Sequence, residues 1–239
     1  MKRVVLTLNI LFTVAIISAQ TMDSASTTIT TIEEEDDPSR DRIIMNVHWD
    51  GWLGAEDPLK VKGLSSGLGI HVFYDIPLGT EYVSFAIGAG LSWSNYYNNS
   101  YFTYDTAQNT IPVAFDDSVA YKKNKLVINY IEVPLEFRFR TKENGSGNRF
   151  KAAIGFKGGY VLTNHTKFVG DDWLSGSDDE IKYKQYRVKN MTTLQYGPTI
   201  RLGYSKINLE AYYGLAPLFV DGKGPAGNPI TVSLSFNPF

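Results

Sequence analysis

The sequence predicts an all-β fold, an eight-stranded antiparallel up-and-down transmembrane β-barrel, and three observations carry that expectation. Eight segments alternate apolar residues with small or polar ones at period two. The connections between them alternate short and long, as they do where periplasmic turns are tight and external loops extended. The chain also opens with the features of an export signal.

In chain order, residues 1–19 read as a signal peptide. Lys2 and Arg3 form a positive start, residues 4–17 are mostly apolar, and Ile17-Ser18-Ala19 ends in the small residue that a signal peptidase requires. The stretch is shorter than the roughly 20 apolar residues of a membrane span and carries Thr7, Asn9 and Thr13, so cleavage before Gln20 is expected. There is no cysteine, which removes a lipid-anchored route to the membrane along with disulfide and thiolate-metal chemistry. Residues 20–41 are rich in Ser and Thr and then acidic through Glu33-Glu34-Glu35-Asp36-Asp37; with so little apolar surface they read as a flexible periplasmic lead-in.

Residues 42–239 are the barrel. Residues 43–53 and 64–76 alternate less cleanly than the rest. In 82–94, Val83, Phe85, Ile87, Ala89, Leu91 and Trp93 share one face and Ser84, Ala86, Gly88, Gly90, Ser92 and Ser94 the other. Residues 127–140 set Ile131, Val133, Leu135, Phe137 and Phe139 against Tyr130, Glu132, Pro134, Glu136, Arg138 and Arg140. Residues 150–163, 192–204, 207–215 and 230–236 complete the set. Residues 77–81, 141–149 and 205–206 are short turns, whereas 98–124 and 168–190 are long external loops. Pro134, Pro198 and Pro217 fall within these patterns and call for bulges or irregular pairing.

A soluble ligand-binding barrel would alternate too, but its solvated face would be dense in Lys and Glu. Here the polar face is mainly Gly, Ala, Ser and Thr, the inventory of a narrow packed lumen. The apolar faces carry no charge, as expected when Lys or Arg facing mid-bilayer lipid costs roughly 2–4 kcal/mol. Aromatics gather toward strand ends: Trp49, Trp93 and Tyr97 near the outer rim, Tyr74, Phe137, Phe139, Phe150, Tyr204 and Phe236 near the periplasmic one. The expected partners are therefore outer-membrane lipid and the barrel-assembly machinery, whose terminal-aromatic signal Phe239 partly resembles. A formal net charge of −2 argues against nucleic acid.

The run Asn129-Tyr130-Ile131-Glu132-Val133-Pro134-Leu135-Glu136, with Gly155-Phe156-Lys157-Gly158-Gly159-Tyr160, Tyr196-Gly197-Pro198 and Leu234-Ser235-Phe236, resembles the PorT-like outer-membrane β-barrel proteins of Bacteroidetes. The resemblance covers about residues 42–239 and implies outer-membrane residence. Its motifs are barrel-packing motifs and imply no activity; the member that gives the family its name is implicated in type IX secretion.

Eight charged residues fall on inward faces: Glu132, Glu136, Arg138, Arg140, Lys151, Lys157, Arg201 and Glu210. The expected role is a salt-bridged interior that satisfies its own charges; the sharper alternative is a proton or ion path, in a lumen only just wide enough for side chains. His48, His71 and His165 are the candidate bases of a hydrolase, but no serine stands at a spacing that builds a triad. Asp171, Asp172, Asp178, Asp179 and Glu180 could supply oxygen ligands to calcium, yet lack the spacing of a calcium loop and read as a solvated acidic segment. Asp23-Ser24-Ala25, Asp105-Thr106-Ala107 and Asp117-Ser118-Val119 resemble the O-glycosylation tripeptide of exported Bacteroidetes proteins. No cofactor or metal is expected. The leading functional reading is a non-enzymatic barrel with a plugged interior whose external loops bind or organise the membrane. The alternatives are an accessory component of type IX secretion, with secretion-system or envelope proteins as partners, and a surface lipid hydrolase.

Overall fold

The computed structural model describes residues 42–238 except 64, 174 and 176, and leaves out the side chains of 177 and 178. The signal peptide, the lead-in and Phe239 lie outside the described residues. Eleven strands form in the order β1 (Ile43–Leu53), β2 (Ser66–Thr80), β3 (Val83–Tyr97), β4 (Ser100–Tyr104), β5 (Thr110–Ala114), β6 (Tyr121–Arg140), β7 (Phe150–Asp172), β8 (Ser177–Tyr186), β9 (Leu194–Tyr204), β10 (Ile207–Tyr213) and β11 (Asn228–Phe236).

Eight of them close a ring in the order β1-β2-β3-β6-β7-β9-β10-β11, every neighbour antiparallel, with β11 returning to pair with β1 from Met45↔Phe236 to Leu53↔Asn228. These are the eight segments the sequence marks out. Closure leaves the ring no unpaired edge, which allows a sheet to stand in lipid. Connections at one end are short, with Ser205 at positive φ in the two-residue turn between β9 and β10; those at the other end, 54–65, 98–120, 173–193 and 214–227, are long. In membrane barrels the short turns lie at the periplasmic end.

The two faces of the wall divide as the period-two pattern requires. Met45, Val47, Leu68, Val72, Ile87, Val133, Ile154, Ile200, Leu209 and Leu234 are exposed large apolar residues on the outside. The outward faces of β1, β2, β3, β9, β10 and β11 carry no charged residue, so on those strands lipid meets no charge. Inward positions alternate with them and are buried.

The prolines behave differently from one another. Pro134 stays in register with Lys157, while pairing of β6 with β3 lapses between Leu135↔Ile87 and Glu132↔Gly90. Pro198 pairs in register with Phe156 without a bulge. Pro217 lies beyond β10, in the loop, where its carbonyl accepts a 2.9 Å hydrogen bond from Gln195 Nε2. One bulge of this wall falls at Leu162, between Tyr130↔Val161 and Asn129↔Thr163, and the register also shifts between Tyr121 and Lys123 and between Pro77 and Thr80. An extra residue shifts the phase of a strand, and the buried positions of β7 accordingly pass from odd to even numbers at Thr166, Phe168 and Gly170.

The long outer connections are structured rather than plain loops. Residues 98–124 contain the β4–β5 hairpin and the first turn-ward residues of β6, and residues 168–190 contain the end of β7 and all of β8, which pairs with β7 alone. The hairpin is tied to other outer connections: Thr110 N donates to Lys223 O at 2.9 Å, Thr110 Oγ1 to Lys189 O at 2.9 Å, and Gln108 O accepts from Asn190 Nδ2 at 2.7 Å.

Candidate functional site

Inward-facing side chains form three successive zones along the lumen. The zone nearest the short turns is ionic. Arg138 on β6 donates from Nε to Glu136 Oε2 at 2.8 Å and from Nη1 to Asp75 Oδ1 at 2.6 Å. Arg201 on β9 pairs with the same Glu136 oxygen, and Arg140 pairs with Asp75 while donating to Ser84 Oγ at 2.8 Å. The Arg138 guanidinium also lies over the Phe73 ring, 4.2 Å from its centroid. Lys151 lines the narrow gap beside these arginines, and Glu210 on β10 stands in register with Arg201. Three guanidiniums face two carboxylates, all deeply buried. Pairing of this kind is required because a lone buried charge costs several kcal/mol.

The middle zone holds the histidines. His71 Nε2 is 2.8 Å from Glu132 Oε2, and Lys157 Nζ reaches the same oxygen at 3.3 Å while lying 4.5 Å from the Tyr212 ring centroid. His48 Nε2 lies 3.6 Å from Asp50 Oδ1, beyond hydrogen-bond range. Asp50 instead accepts from Ser94 Oγ at 3.3 Å, Asn95 N at 3.1 Å and Thr231 Oγ1 at 3.3 Å. The cavity between these groups has a volume of about 20 Å³. That is room for about one water molecule.

The outer zone is apolar. Trp52, Tyr96, Leu126, Ile128 and Tyr130 point inward from the strand ends and meet Leu59, Phe102, Val188, Leu218 and Phe219 from the outer connections. Trp52 stacks on Phe219 at 5.8 Å, Phe219 meets Phe102 at 5.7 Å, and Trp52 Nε1 donates to Ala226 O at 2.9 Å. The polar lumen is thus bounded on its outer side by a small hydrophobic core.

A ring of eight antiparallel strands with a largely apolar exterior and a polar, self-paired interior is the anatomy of a membrane-spanning barrel. A family model described as "Outer membrane protein beta-barrel domain" matches residues 24–220. The chain belongs to that family. The match spans β1 to β10, and β11 closes the ring beyond it. A comparison with curated proteins gives no match. The protein is therefore an outer-membrane barrel, of a family that is generally non-enzymatic.

All eight charged residues marked in the sequence of this outer-membrane barrel face its lumen, but they fall into two clusters. Glu136, Arg138, Arg140, Lys151 and Arg201 share the periplasmic one, Glu132 and Lys157 the middle one, and Glu210 stands between them on β10. Sequence reasoning missed Asp75 and Asp50, which bear as much of the pairing as any residue it named. Their signal was parity: Asp75 is in phase with His71 and Phe73 on β2, and Asp50 with Asn46 and His48 on β1. The apolar outer zone had no such signal, because half its residues come from connections.

The histidines do not assemble a hydrolytic site among the described residues. Ser94 is bonded to Asp50 rather than to His48, the ring nitrogen of His71 is taken by Glu132, and His165 stands against the Tyr186 ring at 5.5 Å. A nucleophile needs its hydroxyl on the base, with the acid behind it. The acidic segment is likewise used in cross-links: Asp171 Oδ2 accepts from Ala120 N at 3.0 Å, and Glu180 pairs with Lys122. The side chain of Asp178 lies outside those described. Of the three tripeptides, Ser24 lies outside the described residues. Thr106 and Ser118 are exposed on the outer connections, with Ser118 Oγ donating to Asp116 at 2.7 Å.

Proposed function

We propose that this outer-membrane barrel is a closed, non-enzymatic one whose folded outer body is its working surface, used for binding or for organising the membrane. The observation that carries the reading is the lumen: ion pairs fill its periplasmic part, its middle cavity is about 20 Å³, and an apolar core lies across its outer part. A path for solute or ions needs continuous wet space, and an eight-stranded interior is only wide enough for side chains. What remains available to a partner is the outer body built by β4, β5, β8 and the upper parts of β6 and β7. The likeness of residues 129–136 to PorT-like proteins fits within this reading.

The test is twofold. In the outer-membrane fraction, the band should change mobility on SDS gels between unheated and boiled samples, and purified protein in planar bilayers should give no single-channel steps. A soluble periplasmic protein would overturn the architecture, and regular conductance steps would overturn the closed lumen.

A further inference from the structure

The outer body contains a cavity separate from the lumen, between the β4 strand and the wall formed by the upper parts of β6, β7 and β8, with a volume of about 220 Å³. Aromatic rings make its sides. Tyr101 stacks on Trp173 at 4.3 Å and 29°, Phe115 meets Trp173 at 5.5 Å and 72°, and Tyr183 meets it at 6.3 Å and 89°. Thr103, Thr166 and Gln185 add neutral hydrogen-bonding groups, and among the described residues none that lines the cavity is charged. Gln185 Nε2 donates to Tyr104 Oη at 3.1 Å, and its amide oxygen makes no hydrogen bond among the described residues. The indole N–H of Trp173 is buried without a partner among the described residues, an unusual state for so strong a donor.

We infer that this cavity binds one neutral sugar unit, a hexose or deoxyhexose, presented on the outer side of the membrane. Three features select that class. The absence of charge in the lining disfavours phosphates, carboxylates and amines, whose desolvation would go uncompensated. The mixture of ring faces with hydroxyl and amide groups matches a ligand with an apolar C–H face and a polar edge, whereas an acyl chain would leave those groups unpaired. Phe115 and Tyr183 meet Trp173 at steep angles and so form a cradle for a puckered ring; a flat aromatic ligand needs two parallel faces, and Trp173 already has Tyr101 on one of its own. The inference rests on the outer body being the working surface.

The experiment uses full-length protein in a sugar-free amine-oxide detergent. Binding is followed by saturation-transfer NMR, whose signal does not depend on Trp173, with methyl glycosides of glucose, galactose, mannose, fucose and N-acetylglucosamine, and with phosphatidylcholine vesicles bearing a neutral glycolipid. At least one glycoside should bind with a millimolar dissociation constant, weakened about tenfold by Trp173→Ala through loss of the ring contact. Thr103→Arg, at an exposed position on the rim, should abolish binding while the heat-shifted gel band stays as in wild type. Tighter binding to glycolipid vesicles than to free glycoside would assign the sugar to a membrane source, and equal binding to a soluble one. No saturation by any glycoside or vesicle up to about 100 mM sugar, binding indifferent to both substitutions, or binding of indole or tyrosinamide in place of sugars would overturn the inference. Such a failure would leave the closed barrel standing, because heating and conductance test that separately.

Discussion

Glu136→Gln should destabilise the barrel by about 3 kcal/mol, the lower end of the roughly 3–5 kcal/mol that follows from breaking a buried ion pair by removing one partner. The carboxylate takes Arg138 Nε at 2.8 Å and the Arg201 guanidinium on the same oxygen. Without it, Arg138 and Arg140 keep Asp75 as their paired carboxylate, Arg201 loses its ion-pair partner, and the net positive charge of the cluster rises by one. The amide keeps an acceptor oxygen, which is why the lower end applies. Urea unfolding in detergent or vesicles reads the effect as a shift of the midpoint by about 1.5 M, for a slope near 2 kcal/mol per molar. The comparison is Lys122→Ala, which removes an exposed, solvent-screened outer pair and should leave the midpoint nearly unchanged. Adding Arg201→Met to Glu136→Gln removes that added positive charge and should recover part of the loss, the signature of coupled sites. Equal midpoints for Glu136→Gln and Lys122→Ala would refute the reasoning, because the lumen would then be wet enough to screen its own charges.

Two further outcomes follow from close approaches and from a turn. Gly67→Ala should cost about 1–3 kcal/mol by overpacking, because a Cβ there would stand 2.1 Å from His48 Nε2 and 2.3 Å from the Trp93 carbonyl. Gly145→Ala, with nothing within 4 Å, should leave the gel-shift temperature unchanged, and equal behaviour of the two variants would count against the packed lumen. In the β4–β5 turn, the Asp105 carboxylate accepts from the Asn109 backbone N–H at 2.8 Å and from its side-chain amide at 2.9 Å, chiefly the former holding its pKa below the ordinary carboxylate value. A depressed acid stabilises above its unfolded pKa and loses that contribution as pH falls through the folded one. Protease nicking of residues 105–109 should therefore increase only below about pH 4, and Asp105→Asn should remove the pH dependence; a transition near neutrality would assign the turn to other groups.

The ring was legible because each of its strands separates two environments that tolerate different atoms. Lipid outside admits Leu, Val, Ile and aromatics, and the crowded lumen admits Gly, Ser, Thr and paired charges, so residues such as those of 82–94 report their direction one by one. The outer body obeys no such rule. β8 reads Ser-Asp-Asp-Glu-Ile-Lys-Tyr-Lys-Gln-Tyr, with charges on both faces, because neither face meets lipid. β4 and β5 are five residues each, too short for period two to stand out. The lumen was half legible: charge and parity indicated which residues point inward, but their grouping depends on register across strands far apart in sequence, as Asp75 with Arg138 and Arg140 shows.

That register dependence bears on how the ring is held shut. The first and last strands meet at β1–β11, where no chain connection enforces the pairing. Asp50 on β1 sits at this seam and takes hydrogen bonds from Thr231 on β11 and from Ser94 and Asn95 on β3, so one buried carboxylate bridges the closing strand and a strand two places away. Above it, Trp52 at the end of β1 is fastened to Ala226 ahead of β11 and stacked on Phe219. Backbone ladders alone would tolerate slippage by two residues without changing which face is apolar. A buried acceptor with three partners does not, because any shift leaves it unpaired in a lumen that holds about one water. The polar interior is thus as much a device for fixing closure and register as a filling.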